Sequence, residues 1–353
     1  ADSNFIGSID DISVKEVLVD GGDFTFTRGS NLSATRVNSA GLIEKGRENE
    51  LKQSNQFDTT WSLSNASVTS GQSGYDGSSD AWELTKPSDG SISYLWQDSI
   101  SLSGVWTNSL YLKKNTLNFV WLRSLGGLDV SCFFDLENGT TGTTNNAILT
   151  SIEAVGTDGW YRCAITANTS NSSFLIYPCQ SNGNLTSGAG SIFIQHAQAE
   201  IGLTSTEYIE TGASTVKAGI LENTPRLDYS GGATEPSLLL EPSRTNILKQ
   251  SEYFVGEFSL DNVSLDYNYG VSPEGVSNSV LLTQTGSAPS NSMYEFNLPT
   301  TDGSYAYSFF FKAGTSTTCR MYVGTGVAED FNPQTITSGY SGGTLNILFE
   351  DYG

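Results

Sequence analysis

The chain is short of positive charge. Its 353 residues include 17 lysines and arginines against 38 acidic residues, so the formal net charge is −21. Phosphate backbones and anionic lipid headgroups are bound mainly by basic side chains, and a surface of this charge repels both. We therefore expect no nucleic-acid partner. The acidic residues are spread along the chain rather than gathered in a tail, which is typical of charge that keeps a protein soluble.

Histidine is almost absent, and the motifs of hydrolytic enzymes are missing. His196 is the single histidine, and neither GxSxG nor HExxH occurs in the sequence. Nucleophilic or zinc-dependent hydrolysis therefore has no recognisable motif. His196 lies in an apolar context, which favours an edge or core position in a strand. We expect no enzymatic activity, although 38 acidic residues leave a glycosidase-type carboxylate pair open.

Cysteine is also scarce, and its spacing excludes the common metal and redox motifs. None of the four cysteines forms a C-x-x-C pair, so a zinc knuckle is unsupported. We expect free thiols that pack as small hydrophobic side chains. The alternative is one disulfide among the first three, which would suit an oxidising compartment. The four residues are Cys132, Cys163, Cys179 and Cys319.

Long apolar runs are missing as well. No stretch of about 20 apolar residues occurs, so no membrane-spanning helix is expected. The opening residues, Ala1 to Asn4, include no basic or apolar segment of the kind that begins a signal peptide. The sequence also lacks an initiator methionine, and we expect it to be part of a longer protein.

Short alternating segments dominate what remains. The chain contains 37 glycines, 17 phenylalanines and 16 tyrosines, while charged residues make up only 16%. Apolar or aromatic residues alternate with polar ones over short runs, and Gly- or Asn-containing turns separate the runs. Strands at this spacing predict an all-β sandwich. The clearest runs are Leu110–Lys113, Leu117–Ser124, Ser131–Leu136, Trp160–Ala167, Ser173–Tyr177 and Ser191–Gln195.

A long internal repeat is the most informative feature. Residues 42–57, LIEKGRENELKQSNQF, align without gaps with residues 239–254, LLEPSRTNILKQSEYF, and nine of the sixteen positions are identical. The similarity continues downstream, where SLYLKK at 109–114 resembles SFFFKA at 308–313. A period of nearly two hundred residues is too long for a solenoid unit. It predicts a tandem array of whole domains.

Several segments resemble known families. NELKQSNQFDTTW, Asn49 to Trp61, resembles the opening strand of jelly-roll carbohydrate-binding modules, and IDDISVKE, Ile9 to Glu16, resembles their closing strand. Glu50 stands where those modules have an apolar residue. Other segments are similar to repeated modules in structural proteins of marine tailed phages. They include TRVNSAGLIE (35–44), DLENG (135–139), GWYRC (159–163), NTPRLDYSGG (223–232) and PSLLLEPSRTN (236–246).

The repeat and the resemblance together predict tandem jelly-roll-like β-sandwich modules joined by short β-hairpin connectors. Hairpins are expected in the connectors because their apolar residues would otherwise stay exposed to water. The predicted divisions are residues 1–20, the closing strand of an upstream module; 21–48, a connector; 49–212, a complete module; 213–245, a connector; and 246–353, a second, incomplete module.

The resemblance implies a non-catalytic structural or binding repeat of a phage fibre or another protein on the virion surface. It also implies self-association, with trimers common in fibres, contacts with other virion proteins, and attachment to host-surface glycans. The sequence has no heptad stalk. The alternative is a secreted bacterial adhesin, or the carbohydrate-binding modules of a polysaccharide-degrading enzyme, located outside the cell or at its surface.

The alternation within strands selects candidate glycan-binding residues. Leu110 and Leu112 share one face of their run, whereas Tyr111 lies on the other. Trp121 and Arg123 share a face of the following run. Sugar recognition uses aromatic rings together with a few polar groups, so Tyr111, Trp121 and Arg123 are the candidates if they line an open sheet. The alternative is that this face packs on a neighbouring module or subunit.

The tryptophans divide into two groups. All six lie between residues 61 and 160. Trp61, Trp82 and Trp160 sit beside apolar strand residues and are predicted to lie in the core. Apart from Trp121, the pattern leaves the others, Trp96 and Trp106, undecided.

The resemblance also implies a structural calcium ion, because many modules of this type hold one between the first and last strands. Calcium takes six to eight oxygen ligands, including carboxylates. Asp58 follows the opening strand and Glu200 lies on the closing strand of the complete module, so these two residues are candidate ligands. No DxDxDG loop is present, and solvated surface acids are the alternative.

Overall fold

The computed structural model describes residues 35–87, 90–220, 225–240, 245–248, 250–256, 258–286, 292–294, 306–316, 319–323, 327–332 and 337–338. Regular structure in these residues is β-strand, apart from one 3-10 turn at Ser230–Gly232. Nowhere in these ranges is there a helix with the length and hydropathy needed to cross a membrane. The predicted closing strand at 1–20 and the first part of the connector at 21–48 lie outside the described residues.

The strands, in chain order, are β1 (Thr35–Val37), β2 (Ile43–Lys45), β3 (Arg47–Asn49), β4 (Ser62–Ser64), β5 (Ser67–Gln72), β6 (Ala81–Lys86), β7 (Tyr94–Leu102), β8 (Val105–Lys114), β9 (Phe119–Gly126), β10 (Val130–Asp135), β11 (Thr140–Asn145), β12 (Leu149–Val155), β13 (Trp160–Asn168), β14 (Asn171–Cys179), β15 (Gly190–Ile201), β16 (Val216–Ala218), β17 (Leu227–Asp228), β18 (Ser237–Leu238), β19 (Ser259–Asp261), β20 (Val263–Gly270), β21 (Ser279–Gln284), β22 (Ser292–Tyr294), β23 (Cys319–Val323), β24 (Val327–Asn332) and β25 (Thr337–Ser338).

Strands β4 to β15 form a sandwich of two six-stranded antiparallel sheets. The front sheet has the order β11-β10-β9-β14-β7-β4, and the back sheet has the order β12-β13-β8-β15-β6-β5. The chain changes sheet seven times, as in a jelly roll: at β4–β5, β6–β7, β7–β8, β8–β9, β11–β12, β13–β14 and β14–β15. The prediction of an all-β sandwich is confirmed. Each of the six predicted runs overlaps one strand, namely β8, β9, β10, β13, β14 or β15, although the second run begins two residues before β9 and the third ends one residue after β10.

The alternating pattern of each strand fills the space between the sheets. Leu110 and Leu112 of β8 are fully buried and face the core, as do Val120 and Leu122 of β9. Burying a side chain of this size contributes about 1.5–3 kcal/mol. Trp106, on the same face of β8, is also fully buried. Trp61, Trp82 and Trp160 are all buried, as predicted. Trp61 and Trp82 belong to this core, whereas Trp160 belongs to a smaller, separate cluster.

Asn49 ties the opening segment of the module to its closing strand. The side chain is completely buried, and its Nδ2 donates to the carbonyl oxygens of Ala197 at 3.1 Å and Ile209 at 2.8 Å. Its Oδ1 accepts from the amides of Leu51 and Ala199, each at 3.1 Å. All four hydrogen-bonding positions of the amide are therefore used, and they join segments about 150 residues apart in sequence.

The second repeat forms the same local structure at its beginning. Hairpin β20–β21 has the same register as hairpin β5–β6. Gln53 and Gln250 both have a φ of 52°, and Asn65 and Asn262 have φ values of 45° and 53°. The sequence repeat therefore extends to backbone conformation here. The matching pairs are Ser67–Thr85 and Val68–Leu84 in the first hairpin, and Ser264–Thr283 and Leu265–Leu282 in the second.

The repeats differ further on. Residues 308–313 resemble residues 109–114 of β8, yet they do not form a strand. Phe309, Phe310 and Phe311 are 50%, 58% and 38% exposed. In the first module β8 pairs with both β13 and β15, so its apolar residues are covered on all sides. A strand of this composition needs such partners to be buried.

The connector on each side of the module contains the hairpin that the sequence predicted, and the two hairpins touch. One consists of β1 and β2, the other of β17 and β18. The amide of Val37 donates to Oδ1 of Asp228 at 2.7 Å, and the amide of Tyr229 donates to the carbonyl of Val37 at 2.9 Å. Arg226 donates to the carbonyl of Thr35 at 2.7 Å. Strand β16 also pairs with β3, so the chain enters and leaves the sandwich at one place.

All four cysteines are free. Burial raises the pKa of Cys132 and of Cys179 to about 12, and it raises the pKa of Cys163 well above its ordinary value. Burial also raises the pKa of Cys319, but this side chain is partly exposed. Because a thiol reagent needs access as well as the thiolate form, we expect only Cys319 to react at pH 8. Titration before and after denaturation should count one thiol and then four. Two or more fast thiols in the folded protein would contradict this burial pattern.

Candidate functional site

The outer face of the front sheet carries a row of aromatic side chains. In β7, Leu95 points into the core, so Tyr94 and Trp96 point outward. By the same alternation β9 contributes Phe119 and Trp121, β10 contributes Phe133 and β14 contributes Tyr177. Five of these outward rings contact one another. We call these five residues the aromatic row: Tyr94, Trp96, Trp121, Phe133 and Tyr177.

The rings of the row touch in sequence across four neighbouring strands. The ring centroids are 5.0 Å apart for Trp96–Tyr94, 4.8 Å for Tyr94–Tyr177, 4.8 Å for Tyr177–Trp121 and 5.4 Å for Trp121–Phe133. Neighbouring strands are about 4.8 Å apart, so the row runs across the sheet for roughly 14 Å. The Trp121 and Phe133 rings are only 15° from parallel, so each covers a face of the other.

Arg123 is a charged residue that lies beside the row. Its guanidinium carbon lies 5.2 Å from the centre of the Trp121 ring. Its Nε and one terminal nitrogen donate to the two carboxylate oxygens of Asp129, at 2.9 and 2.7 Å. These hydrogen bonds lower the pKa of Asp129, and they raise the pKa of Arg123 above its already high value. Trp121 is therefore packed between Phe133, Tyr177 and a guanidinium that is itself held in place.

The Asp129 pair gives an expected pH dependence. Because Arg123 depresses the pKa of Asp129 in the folded state, the pair contributes fully above the ordinary aspartate pKa of about 3.9 and is lost as the pH falls below that value. Carbon NMR of the side-chain carboxyls should show Asp129 titrating below about 3.9. Asp129→Asn identifies the resonance, and a midpoint at or above the ordinary value would contradict the pairing.

Trp96 ends the row on the side of β4, and the sequence pattern left it undecided. Its partner across β4 is Ser62, a small residue, and its partner on β14 is Leu175. Within the described residues, Tyr94 is the only ring that contacts it. The indole Nε1 donates to Oδ2 of Asp98 at 3.0 Å. The alternation of aromatic Tyr94 and Trp96 with apolar Leu95 is the sequence pattern that could have predicted an outward position for Trp96.

Tyr111 does not join Trp121 and Arg123, which corrects the expectation that these three residues line one surface. Strand β8 belongs to the back sheet, and Tyr111 points to the outer face of that sheet. There its ring stacks on Tyr75, with centroids 4.0 Å apart and planes 7° apart. Strand alternation gives the face of a residue but not the sheet to which its strand belongs, so sequence alone could not separate the two positions.

His196 lies in the same group on the back sheet. A β-bulge between Gln195 and Gln198 gives His196 a φ of 53°. Its ring stacks on Tyr208 with centroids 3.9 Å apart, and its Nδ1 lies 3.1 Å from the hydroxyl of Tyr75. Burial lowers the pKa of His196, although nearby carboxylates oppose the shift. The environment therefore favours a neutral, packed imidazole.

Two aspartates next to His196 form the one group of metal-ligand type found within the described ranges. Asp76, Asp80 and His196 each place a ligand atom within 4.8 Å of the others. The fully buried Gln195 already donates its amide to both carboxylates and accepts from the amide of Tyr75 at 3.0 Å. These contacts hold the loop that carries Asp76 and Asp80 against β15.

The structure places the two residues predicted to bind calcium in different settings. Asp58 is exposed at the surface. Glu200 is buried, and its carboxylate accepts from Nε2 of Gln198 at 2.6 Å and from the amide of Thr206 at 2.9 Å. It also accepts from the hydroxyl of Thr206. Neither residue belongs to the group around His196, and the donors around Glu200 take the place that a cation would need.

No protein-family model matches the chain, and no curated protein matches it. Among solved structures it is similar to the enzymatically active domain of tailspike protein 4 of bacteriophage CBA120, at 16% identity and a TM-score of 0.26, over 43% of this chain and 21% of that one. It is also similar to a β-1,3-glucan binding CBM6 from Bacillus halodurans, at 8% identity and a TM-score of 0.25, over 42% and 91% of the two chains.

A third similar structure is a carbohydrate-binding module of the β-sandwich superfamily, described as promiscuous in specificity. The identity is 11% and the TM-score is 0.28, over 43% of this chain and 61% of that one. The chain thus spans about a fifth of the tailspike domain. Similarities of this size carry no conclusion about function, which rests instead on the geometry of the sandwich itself.

Proposed function

We propose that the protein is a non-catalytic structural repeat that binds glycans through the aromatic row on the front sheet. The row is the single observation that carries the proposal. The outward face of an antiparallel sheet is ordinarily polar where it meets water. Here five aromatic rings lie side by side on that face, and Tyr94, Trp96 and Trp121 remain partly exposed. Phe133 and Tyr177 are buried beside them and support the three partly exposed rings. Partly exposed aromatic rings grouped on one face in this way are typical of a binding surface.

The chemistry of the row suits sugars. Carbohydrates present apolar C–H groups together with hydroxyls, and aromatic rings flanked by a few polar groups bind both. Trp96 combines an indole that has a single ring neighbour with the adjacent carboxylate of Asp98. Arg123 and Asp129 supply further polar atoms beside Trp121. Trp121 and Arg123 thus remain candidate glycan-binding residues, whereas Tyr111 lies on the other sheet and is not part of this surface.

The wider setting that we propose is the exterior of a virion, as a module of a tail fibre or of another surface protein. Its support is the domain-scale repeat and the connector segments that resemble those of tailed phages. Homo-oligomers, with trimers common in fibres, and contacts with other virion proteins belong to the same proposal. The alternative is a secreted adhesin, or a binding module of a polysaccharide-degrading enzyme.

Two measurements test these proposals separately. A glycan array probed with the purified chain tests binding, and the absence of binding to every glycan would contradict it. Electron microscopy of purified virions labelled with an antibody tests location. Label on fibres or spikes supports the virion setting, whereas label only on bacterial surfaces favours the adhesin.

A third assay tests the non-catalytic assignment. Release of oligosaccharide by the isolated chain would contradict that assignment.

A further inference from the structure

We infer that the aromatic row selects uncharged glycans and rejects glycans that carry carboxylate or sulfate groups. This inference rests on the proposed function and adds the chemical class of the ligand. It follows from the charges on the front sheet rather than from the aromatic rings. Those charges are few: one arginine and three aspartates.

The outer face of the front sheet is acidic. Its six strands contain one basic residue, Arg123, and two acidic residues, Asp98 and Asp135. The turn between β9 and β10 adds Asp129 beside the row. One positive charge therefore faces three negative charges. The whole chain, with a formal net charge of −21, adds a field of the same sign.

The single cation of these strands is already paired with a carboxylate. Arg123 donates two hydrogen bonds to Asp129 in a bidentate arrangement, the strongest geometry that a guanidinium forms with a carboxylate. The pair uses two of the five N–H groups of the guanidinium, and Asp129 offsets its positive charge. A sugar carboxylate that reached the other N–H groups would therefore meet a pair with no net charge, and the remaining acids would repel it.

The same carboxylates suit neutral sugars. An ionised carboxylate only accepts hydrogen bonds, and a sugar hydroxyl can donate one. Asp98 lies at the Trp96 end of the row and Asp129 lies beside Trp121. Acceptors therefore flank the rings at two points. Carboxylate and sulfate groups on a glycan have no proton to donate at neutral pH, so they meet these acceptors as like charges.

Matched pairs of polysaccharides test the inference. Dextran, mannan, xylan and β-1,3-glucan would each be compared with its carboxymethylated derivative by affinity electrophoresis and calorimetry at low salt. We expect at least one neutral polymer to bind and its carboxymethylated form to bind at least tenfold more weakly. Equal or tighter binding of a carboxymethylated polymer would overturn the inference and leave the proposed function standing. Binding to neither set would overturn the proposed function itself.

A charge variant supplies a second, independent readout. Asp129→Asn releases Arg123 and removes one negative charge, so it should raise affinity for the carboxymethylated polymers several-fold and make that affinity decrease with added salt. Asp158→Asn is the matched control, because Asp158 is 79% exposed and pairs with Lys113 of the back sheet. An equal gain in both variants would attribute the effect to net charge alone and would overturn the assignment to Arg123.

Discussion

Trp96→Ala is expected to weaken glycan binding by roughly 30-fold or more, since loss of an aromatic residue that anchors a ligand costs about 2 kcal/mol or more. Trp96 is the ring of the row with a single ring neighbour, and the small Ser62 lies across from it on β4. The indole is therefore the ring best placed to lie against a sugar. Calorimetry with whichever array glycan binds the wild-type chain measures the change.

The control for this variant is Tyr269→Ala, which removes another exposed aromatic side chain. Tyr269 is 63% exposed on β20, outside the aromatic row. It should leave affinity unchanged, and thermal unfolding should show that both variants remain folded. If Trp96→Ala retained wild-type affinity, the row would not be the binding surface. If both variants lost affinity equally, the contact would be nonspecific.

Asn49→Ala is expected to destabilise the sandwich by about 3 kcal/mol or more. Four hydrogen bonds disappear, and each contributes about 0.5–1.5 kcal/mol. The partner groups, among them the amide of Ala199 and the carbonyl of Ala197, are left in a buried position without the side chain that satisfied them. Urea denaturation measures the change as a lower midpoint with little change in slope.

The repeat provides the matched control. Asn246 is the counterpart of Asn49 in the second copy, and its Oδ1 accepts from the amide of Leu248 at 3.0 Å, as Asn49 accepts from Leu51. Asn246 is exposed. Asn246→Ala should therefore cost less than about 1 kcal/mol, the range of surface substitutions. Equal losses in the two variants would show that the local turn, and not the link to the closing strand, determines stability.

Much of the sandwich could be predicted because short-range rules decide it. The alternation of Tyr111 with Leu110 and Leu112 correctly gave the buried face of β8. The same rule placed Trp121 and Arg123 on one face of their strand. These results depend only on the two-residue period of a strand. They need no knowledge of which strands become neighbours.

The parts that could not be predicted depend on strand order and on buried polar groups. Placing β8 in one sheet and β9 in the other separates Tyr111 from Trp121, and no local pattern encodes that choice. The role of Glu200 as an acceptor for Gln198 and Thr206 depends on a segment that folds back over β15. From sequence alone, an acidic residue at the end of a strand is equally consistent with a bound cation and with hydrogen-bond donors from the protein.

The contact between the two connectors determines how the chain bears mechanical load. A pulling force that enters at β1 and leaves at β18 meets the hydrogen bonds from Val37 to Asp228 and from Arg226 to Thr35 before it reaches the sandwich. The β3–β16 pair stands next in the path. The two sheets of the sandwich, including the front sheet with its aromatic row, therefore carry no tension until these bonds break. A ligand bound to the front sheet would therefore stay in an undistorted site while the two connectors are pulled apart.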